Sequence, residues 1–249
     1  MIEIDLNADV GEGFEGDDEV LDVVTSCSIA CGGHAGDHMT MVETVRLAIA
    51  KHIVVGAHPG YPDRESFGRK RGFLEGDALY DSLATQLAAL AEICSEMGTI
   101  LLHVKPHGAL YNDAVVNQEL ADIVARVTLE FSSAATLIGM AGSALQQAAE
   151  RHGLEFIPEG FVDRAYEADG TLVPRNEPGA VHTDTIVAAN QAVRIAEQNL
   201  VIARDGSSVE VAARTLCIHG DMPGAARTAR AIREALEHNE VLVRAYQIR

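Results

Sequence analysis

Seven short β-prone runs, each followed by a longer segment with apolar residues near a 3.6-residue period, restrict this chain to a parallel sheet covered by helices. The strand candidates are Ile2–Leu6, Cys27–Ala30, Ile53–Ala57, Ile100–Val104, Thr136–Met140, Leu154–Pro158 and Thr215–Ile218. The helix candidates are Asp17–Thr25, Thr40–Lys51, Asp77–Met97, Gln118–Glu130, Ser143–His152, Thr183–Glu197 and Gly224–His238. Asp77 and Thr183 are expected to cap their helices, and Gly98 and Gly153 stand where helices should stop. Asn199–Val211 reads as a small hairpin turning at Asp205-Gly206. Phe161–Arg175 reads as a second excursion, turned by Asp169-Gly170. No linker, low-complexity tract or internal repeat interrupts the pattern, so residues 1–249 are expected to form a single domain. An open doubly wound sheet and a closed barrel both satisfy the alternation.

Polar, glycine-flanked clusters recur where these strands end. Asn7, Asp9 and Glu12 follow the first, and His34 and Asp37 follow the second. His58 follows the third, and Lys105, His107 and Asn112 follow the fourth. Asp163 and Arg164 come after the sixth, and His219-Gly220-Asp221-Met222-Pro223 after the seventh. In parallel α/β folds the C-terminal strand edge carries the active site, and glycine lets backbone approach a ligand closely. Several such clusters on one edge point to an enzyme. Asp9 and Glu12 also fit turn or cap roles, and His34 also fits a loop role. His52, His152 and His238 sit at helix ends with solvated neighbours and read as surface groups.

Several motifs carry less than they suggest. Gly11-Glu12-Gly13-Phe14-Glu15-Gly16 matches a dinucleotide fingerprint, but its acidic residues would repel a pyrophosphate. His34-x-x-x-His38 and His103-x-x-x-His107 have zinc-like spacing only if helical, and Gly36 and Pro106 argue for loops. A metal held by Asp9 and histidines of different strands stays open. Arg69-Lys70-Arg71 is a basic triplet that fits a solvated loop or an anion site. There is no Walker-type phosphate loop and no G-x-S-x-G elbow.

Composition narrows the partners. Lys plus Arg number 19 and Asp plus Glu 37, a net charge of −18, which argues against nucleic acid and anionic membrane. Cys27, Cys31, Cys94 and Cys217 are scattered and read as reduced, buried fillers. Glu3, Asp5 and Asp9 fall where a secretory leader would be basic and then apolar. No apolar run approaches the roughly 18 residues of a spanning helix. A cytoplasmic location is expected.

Taken together, Asp5-Leu6-Asn7-Ala8-Asp9 with Gly11-Glu12-Gly13, Cys31-Gly32 with His34-Ala35-Gly36-Asp37, Gly56-Ala57-His58-Pro59, Phe67-Gly68-Arg69, His103-Val104-Lys105-Pro106-His107-Gly108, Asp163-Arg164 and His219-Gly220-Asp221 resemble the LamB/YcsF family. Members of that family act as the A subunit of bacterial 5-oxoprolinase. The resemblance runs nearly the whole length. One departure is Gly33, where the family usually has Phe; it would widen the pocket or loosen the loop. The resemblance implies a distorted seven-stranded parallel β/α barrel of the glycoside hydrolase/deacetylase type. It implies partner subunits B and C and an ATP-driven opening of the 5-oxoproline lactam to L-glutamate.

On that reading ATP is held with the partner subunits, and a divalent metal remains undecided. The expected catalytic residues are Asp9, His34, His58, Lys105, His107, His219 and Asp221, with His219 and Asp221 orienting one another. The expected substrate-binding residues are Asn7, Glu12, Asp37, Asn112, Asp163 and Arg164, with Lys105 and Arg164 as the cations for a carboxylate or phosphate. Two other classes compete: a stand-alone metal-dependent amidase or deacetylase, and a non-catalytic substrate-binding or docking subunit.

Overall fold

The apolar stripes of the sequence become helix faces, and the β-prone runs become strands buried on both sides. The computed structural model describes residues 2–132, 134–221 and 224–246. The strands are β1 (Ile2–Val10), β2 (Ser26–Ala30), β3 (Val54–His58), β4 (His103–Val104), β5 (Thr136–Met140), β6 (Phe156–Phe161), β7 (Leu200–Ile202), β8 (Ser208–Glu210), β9 (Thr215–His219) and β10 (Val241–Val243). The helices are α1 (Asp17–Leu21), α2 (His38–Ala50), α3 (Gly76–Glu96), α4 (Gly108–Val116), α5 (Gln118–Phe131), α6 (Ala144–His152), α7 (Thr185–Gln198) and α8 (Ala225–His238).

Strands β1 to β6 and β9 pair in parallel in that order, and β9 pairs again with β1. That last pairing settles the choice between open sheet and barrel: the sheet closes on seven strands. β10 adds an eighth, parallel to the start of β1. β7 and β8 form the expected antiparallel hairpin, with Gly206 at φ +89° in its turn. No helix among the described residues is long and apolar enough to cross a membrane.

Local chemistry explains most helix ends. Ser143 accepts the Gln146 amide at the start of α6, and Gly153 ends it in the left-handed conformation. Asp184, rather than Thr183, caps α7 through the Ile186 amide. Asp77 lies inside the first turn of α3, where its charge complements the helix dipole instead of capping it. Helix α4 and strand β10 were not expected from periodicity; each is short, and α4 starts within the polar cluster that follows β4. Met222 and Pro223, at the end of the last polar cluster, lie outside the described residues.

The barrel separates two kinds of packing. Outward-facing Leu6, Ala8 and Val10 of β1 and Leu216 and Ile218 of β9 join the apolar layer beneath the helices. The opposite face of the same strands is largely polar. The Asp5 carboxylate accepts from Thr25 and Ser26 at 2.7 Å each, and from Thr215. His103 meets the Ser28 hydroxyl at 3.0 Å and the Tyr246 hydroxyl at 2.6 Å through its two ring nitrogens. Burial, then the charge of Lys105, pushes His103 down to about 3, so its ring is neutral. A buried polar interior is stable only when its groups are paired, and these are.

Gly56 makes room for this arrangement. A Cβ there would lie 2.0 Å from His103 Nε2. Gly56→Ala is therefore expected to expel the imidazole from its bonds with Ser28 and Tyr246. The destabilisation should be roughly 1–3 kcal/mol, the usual cost of overpacking. Denaturant melts check this, and an unchanged midpoint would mean that the ring does not occupy the space beside Gly56.

Candidate active site

Four strands deliver the centre of the site because side chains alternate along a strand. Asp5, Asn7 and Asp9 point inward from β1, and Thr215, Cys217 and His219 from β9. Their register pairs Asp5 with Thr215, Asn7 with Cys217 and Asp9 with His219. Glu159 and Phe161 come from β6, paired with Thr215 and Cys217. Lys105 enters just beyond β4, where its amide continues the ladder to the Ala57 carbonyl at 2.9 Å.

The Lys105 ammonium is 1% exposed and surrounded. It lies 2.6 Å from Asp9 Oδ1, 2.8 Å from Asn7 Oδ1, 3.1 Å from Glu159 Oε1 and 3.2 Å from Cys217 Sγ. Asn7 in turn donates to Glu159 at 3.1 Å and to Thr215 at 2.7 Å. Burial alone would discharge the ammonium; the Asp9 carboxylate outweighs it and holds Lys105 well above its ordinary value. Burial likewise opposes the charge on Asp9, but His58 and Lys105 hold that carboxylate well below its usual range.

Beside this pair stands a group of imidazoles. His58 Nδ1 lies 2.8 Å from the Lys105 carbonyl, and His107 Nε2 lies 2.9 Å from the Phe67 carbonyl. A carbonyl only accepts, so both nitrogens carry hydrogen. The other nitrogens, His58 Nε2 and His107 Nδ1, face each other at 3.0 Å. Glu12 Oε1 lies 3.3 Å from His107 Nδ1 and 3.0 Å from His34 Nε2. The His34 and His107 rings stack 3.5 Å apart, nearly parallel. Burial, reinforced by His107, pushes His34 down to about 3. The donor atoms of Glu12, His34, His58 and His107 all lie within 4.8 Å of one another, which suits a metal ion.

Part of this set borders a cavity of about 790 Å³ at the C-terminal ends of the strands. Asp9, His58, Lys105, His107, Asn112 and His219 line it. Asn7, Glu12 and Asp163 do not, and neither does His34, which lies behind His107, 1% exposed. Asp37 also falls outside the lining: it caps α2 through the Thr40 amide at 2.8 Å. Asn112 lines the cavity while its amide donates to the Gly108 carbonyl.

Three expectations come out differently: the pairing of His219 with Asp221, the free Arg164 cation and the slack loop at Gly33. His219 is oriented by Asp163, not Asp221: its Nδ1 lies 2.9 Å from Asp163 Oδ1, and its amide donates to Asp163 Oδ2 at 2.9 Å. That arrangement fixes hydrogen on Nδ1 and leaves Nε2 as the acceptor. Asp221 instead bridges Arg69 and Arg175 at 2.6 and 2.7 Å, joining two loops beside the cavity. Arg164 lines the cavity, but its Nε and Nη2 donate to the Ala180 and Val173 carbonyls, tying down the excursion after β6. Gly33 does not leave the loop slack. The Gln86 amide fills the space a side chain would need, 2.3 Å from a built Cβ, and pairs with both the amide and the carbonyl of Gly60. The Gly11 amide, which a dinucleotide fingerprint would offer to phosphate, is taken by Asp17 at 2.7 Å.

Glu159, Cys217 and Arg175 hold roles that their sequence setting does not announce: Glu159 and Cys217, the latter expected as a buried filler, contact Lys105, and Arg175 holds Asp221. A signal for the first two lay in the strands themselves. Asp5-x-Asn7-x-Asp9, Glu159-x-Phe161-x-Asp163 and Thr215-x-Cys217-x-His219 repeat with period two, which puts each trio on one face. Arg175 lies within an irregular excursion and carried no such mark.

Comparison with known proteins agrees with this architecture. A lactam utilization protein from Thermus thermophilus is 41% identical over 98% of this chain and 100% of its own, with a TM-score of 0.92. A putative cellobiose-phosphate cleavage protein from Enterococcus faecalis V583 shares the fold at a TM-score of 0.58 and 12% identity, covering 97% of this chain and 96% of its own. A polysaccharide deacetylase from Bacillus cereus does so at 0.54 and 12%, covering 99% and 93%. The family model for LamB/YcsF matches residues 4–248, and with that the chain belongs to the LamB/YcsF family.

Proposed function

We propose that this chain is the A subunit of an ATP-dependent 5-oxoprolinase, which opens the 5-oxoproline lactam to L-glutamate with partner subunits B and C. Family membership and the 41% identical lactam utilization protein support the lactam as substrate class. The observation that carries the chemistry is a fixed buried cation beside an oriented imidazole. Lys105 is held by Asp9, and a nitrogen of His219 lies within 4.8 Å of an Asp9 oxygen.

An unstrained amide resists water, so ATP would first phosphorylate the lactam oxygen, a step assigned to the complex. Water then adds to the activated carbon and gives up a proton. The ring nitrogen gains a proton as the C–N bond breaks, leaving an acyl phosphate. A second water releases phosphate and glutamate. In this scheme His219 Nε2, its ring oriented by Asp163, takes the proton from water. Lys105 meets the substrate carboxylate or the developing oxyanion without having to reorganise. Asp9 and Glu159 keep that ammonium charged and in place. His58 and His107 form the wall beside it.

His219→Ala should lower glutamate release by the reconstituted complex about 10²-fold or more, the range of a lost general base, with little change in melting temperature. Asp37→Ala should leave turnover unchanged and lower the melting temperature only slightly, as a lost helix cap. Equal losses of turnover in the two variants would remove the assignment of His219.

The isolated chain should neither bind ATP tightly nor open 5-oxoproline. It has no phosphate loop, and Asp17 occupies the amide of its one glycine-rich candidate. Calorimetry with ATP and a glutamate-release assay on the purified chain test this. Robust release by the chain alone would favour a stand-alone amidase.

A further inference from the structure

The arrangement of Glu12, His34, His58 and His107 is unstable as a set of neutral rings and one carboxylate. The carbonyls of Lys105 and Phe67 place hydrogen on the far nitrogens of His58 and His107. Two lone pairs are thereby turned toward each other at 3.0 Å, with the Glu12 carboxylate 3.3 Å from one of them. Such a set repels itself unless a positive charge lies between its members. One proton can join only one pair of these atoms; a divalent ion joins all four. The buried His34 Nδ1 has no hydrogen-bond partner among the described residues, so the contact His34 makes through Nε2 dominates its placement.

We propose that these four residues hold one divalent transition-metal ion, zinc being the simplest choice for three imidazoles and a carboxylate. The spacing fits. A tetrahedron with bonds of about 2.0–2.1 Å has edges of about 3.3–3.4 Å; four of the six donor separations are 3.0, 3.0, 3.3 and 4.0 Å, and all six lie within 4.8 Å. The carbonyls behind His58 and His107 are the outer contacts that orient metal-bound imidazoles. The neighbouring trio Asp9, Cys217 and His219 is a poorer site, because the Lys105 ammonium already sits 2.6 Å from Asp9 and 3.2 Å from Cys217.

Each ligand comes from a different strand end. Glu12 follows β1, His34 follows β2, His58 ends β3 and His107 starts α4 after β4. One ion would staple four consecutive loops and fix the cavity wall formed by His58 and His107. It would also hold positive charge next to the Asp9–Lys105 pair. The site does not depend on the lactam reading, and its test does not use turnover.

The test is calorimetric titration of the chelator-stripped chain with Zn²⁺, together with thermal melts and Co²⁺ absorption spectra. Wild type should bind one equivalent, melt at a higher temperature when loaded, and give intense tetrahedral cobalt bands. Glu12→Gln, which keeps the side-chain shape, and His34→Ala should each weaken binding at least about 100-fold, beyond the 10–100-fold typical of outer contacts. If His34→Ala fails to fold, Glu12→Gln and the cobalt spectrum still decide. Absence of stoichiometric binding would overturn the proposal in favour of a proton shared by His58 and His107. Binding that persists unchanged in Glu12→Gln would overturn it in favour of a site elsewhere.

Discussion

A single ammonium inside a closed barrel organises this molecule. Lys105 reaches in from β4 to carboxylates from β1 and β6 and to a thiol from β9, so its contacts span the interior. In so low a dielectric, an ion pair holds only if the geometry and the further hydrogen bonds are good. Asn7 supplies them by accepting from Lys105 while donating to Glu159 and Thr215. Losing one member of such a set leaves an uncompensated buried charge, typically worth about 3–5 kcal/mol. The same contacts that stabilise the barrel thus hold a charge at the cavity wall.

The interior polarity follows from the same requirement. A seven-stranded barrel needs side chains to fill it, and branched apolar residues are the usual filling. Here Asp5, Ser26, Ser28, His103 and Thr215 occupy much of the inside, while the apolar residues of the same strands face the helices. Each polar group finds a partner on another strand, so the network sets which residues face which. It also explains the missing side chain at Gly56, since the His103 ring needs that volume. At the opposite edge the loops work together: Asp221 joins Arg69 to Arg175, Arg164 ties the excursion after β6, and Gln86 fills the space at Gly33.

Much of the architecture is legible in the sequence alone. All seven expected helices appear, and the seven expected strands form the barrel. The shifts are physical. Strand β6 runs on to Phe161, because Pro158 still offers its carbonyl to the Arg214 amide and residues 159–161 pair in register with β9. β10 carries no sequence signal, because three residues give too little periodicity. Nor does helix α4, because its first turn is buried around His107 and Tyr111, so it shows no amphipathic stripe. The strand-end edge around the cavity is legible too, because glycine-flanked polar groups recur after several of the strands that border it.

By itself, the sequence determined the alternation of strand and helix, the edge where polar side chains gather and the residue types available there. These are local properties, carried by periods of two and 3.6 residues. Only the tertiary structure decided closure through β1 and β9, the pairing of His219 with Asp163 rather than Asp221, and the convergence of Glu12, His34, His58 and His107. Each of these joins residues distant along the chain across a few ångströms. Such distances are set by strand register and by the need to pair buried charge, and neither leaves a periodic trace in the sequence.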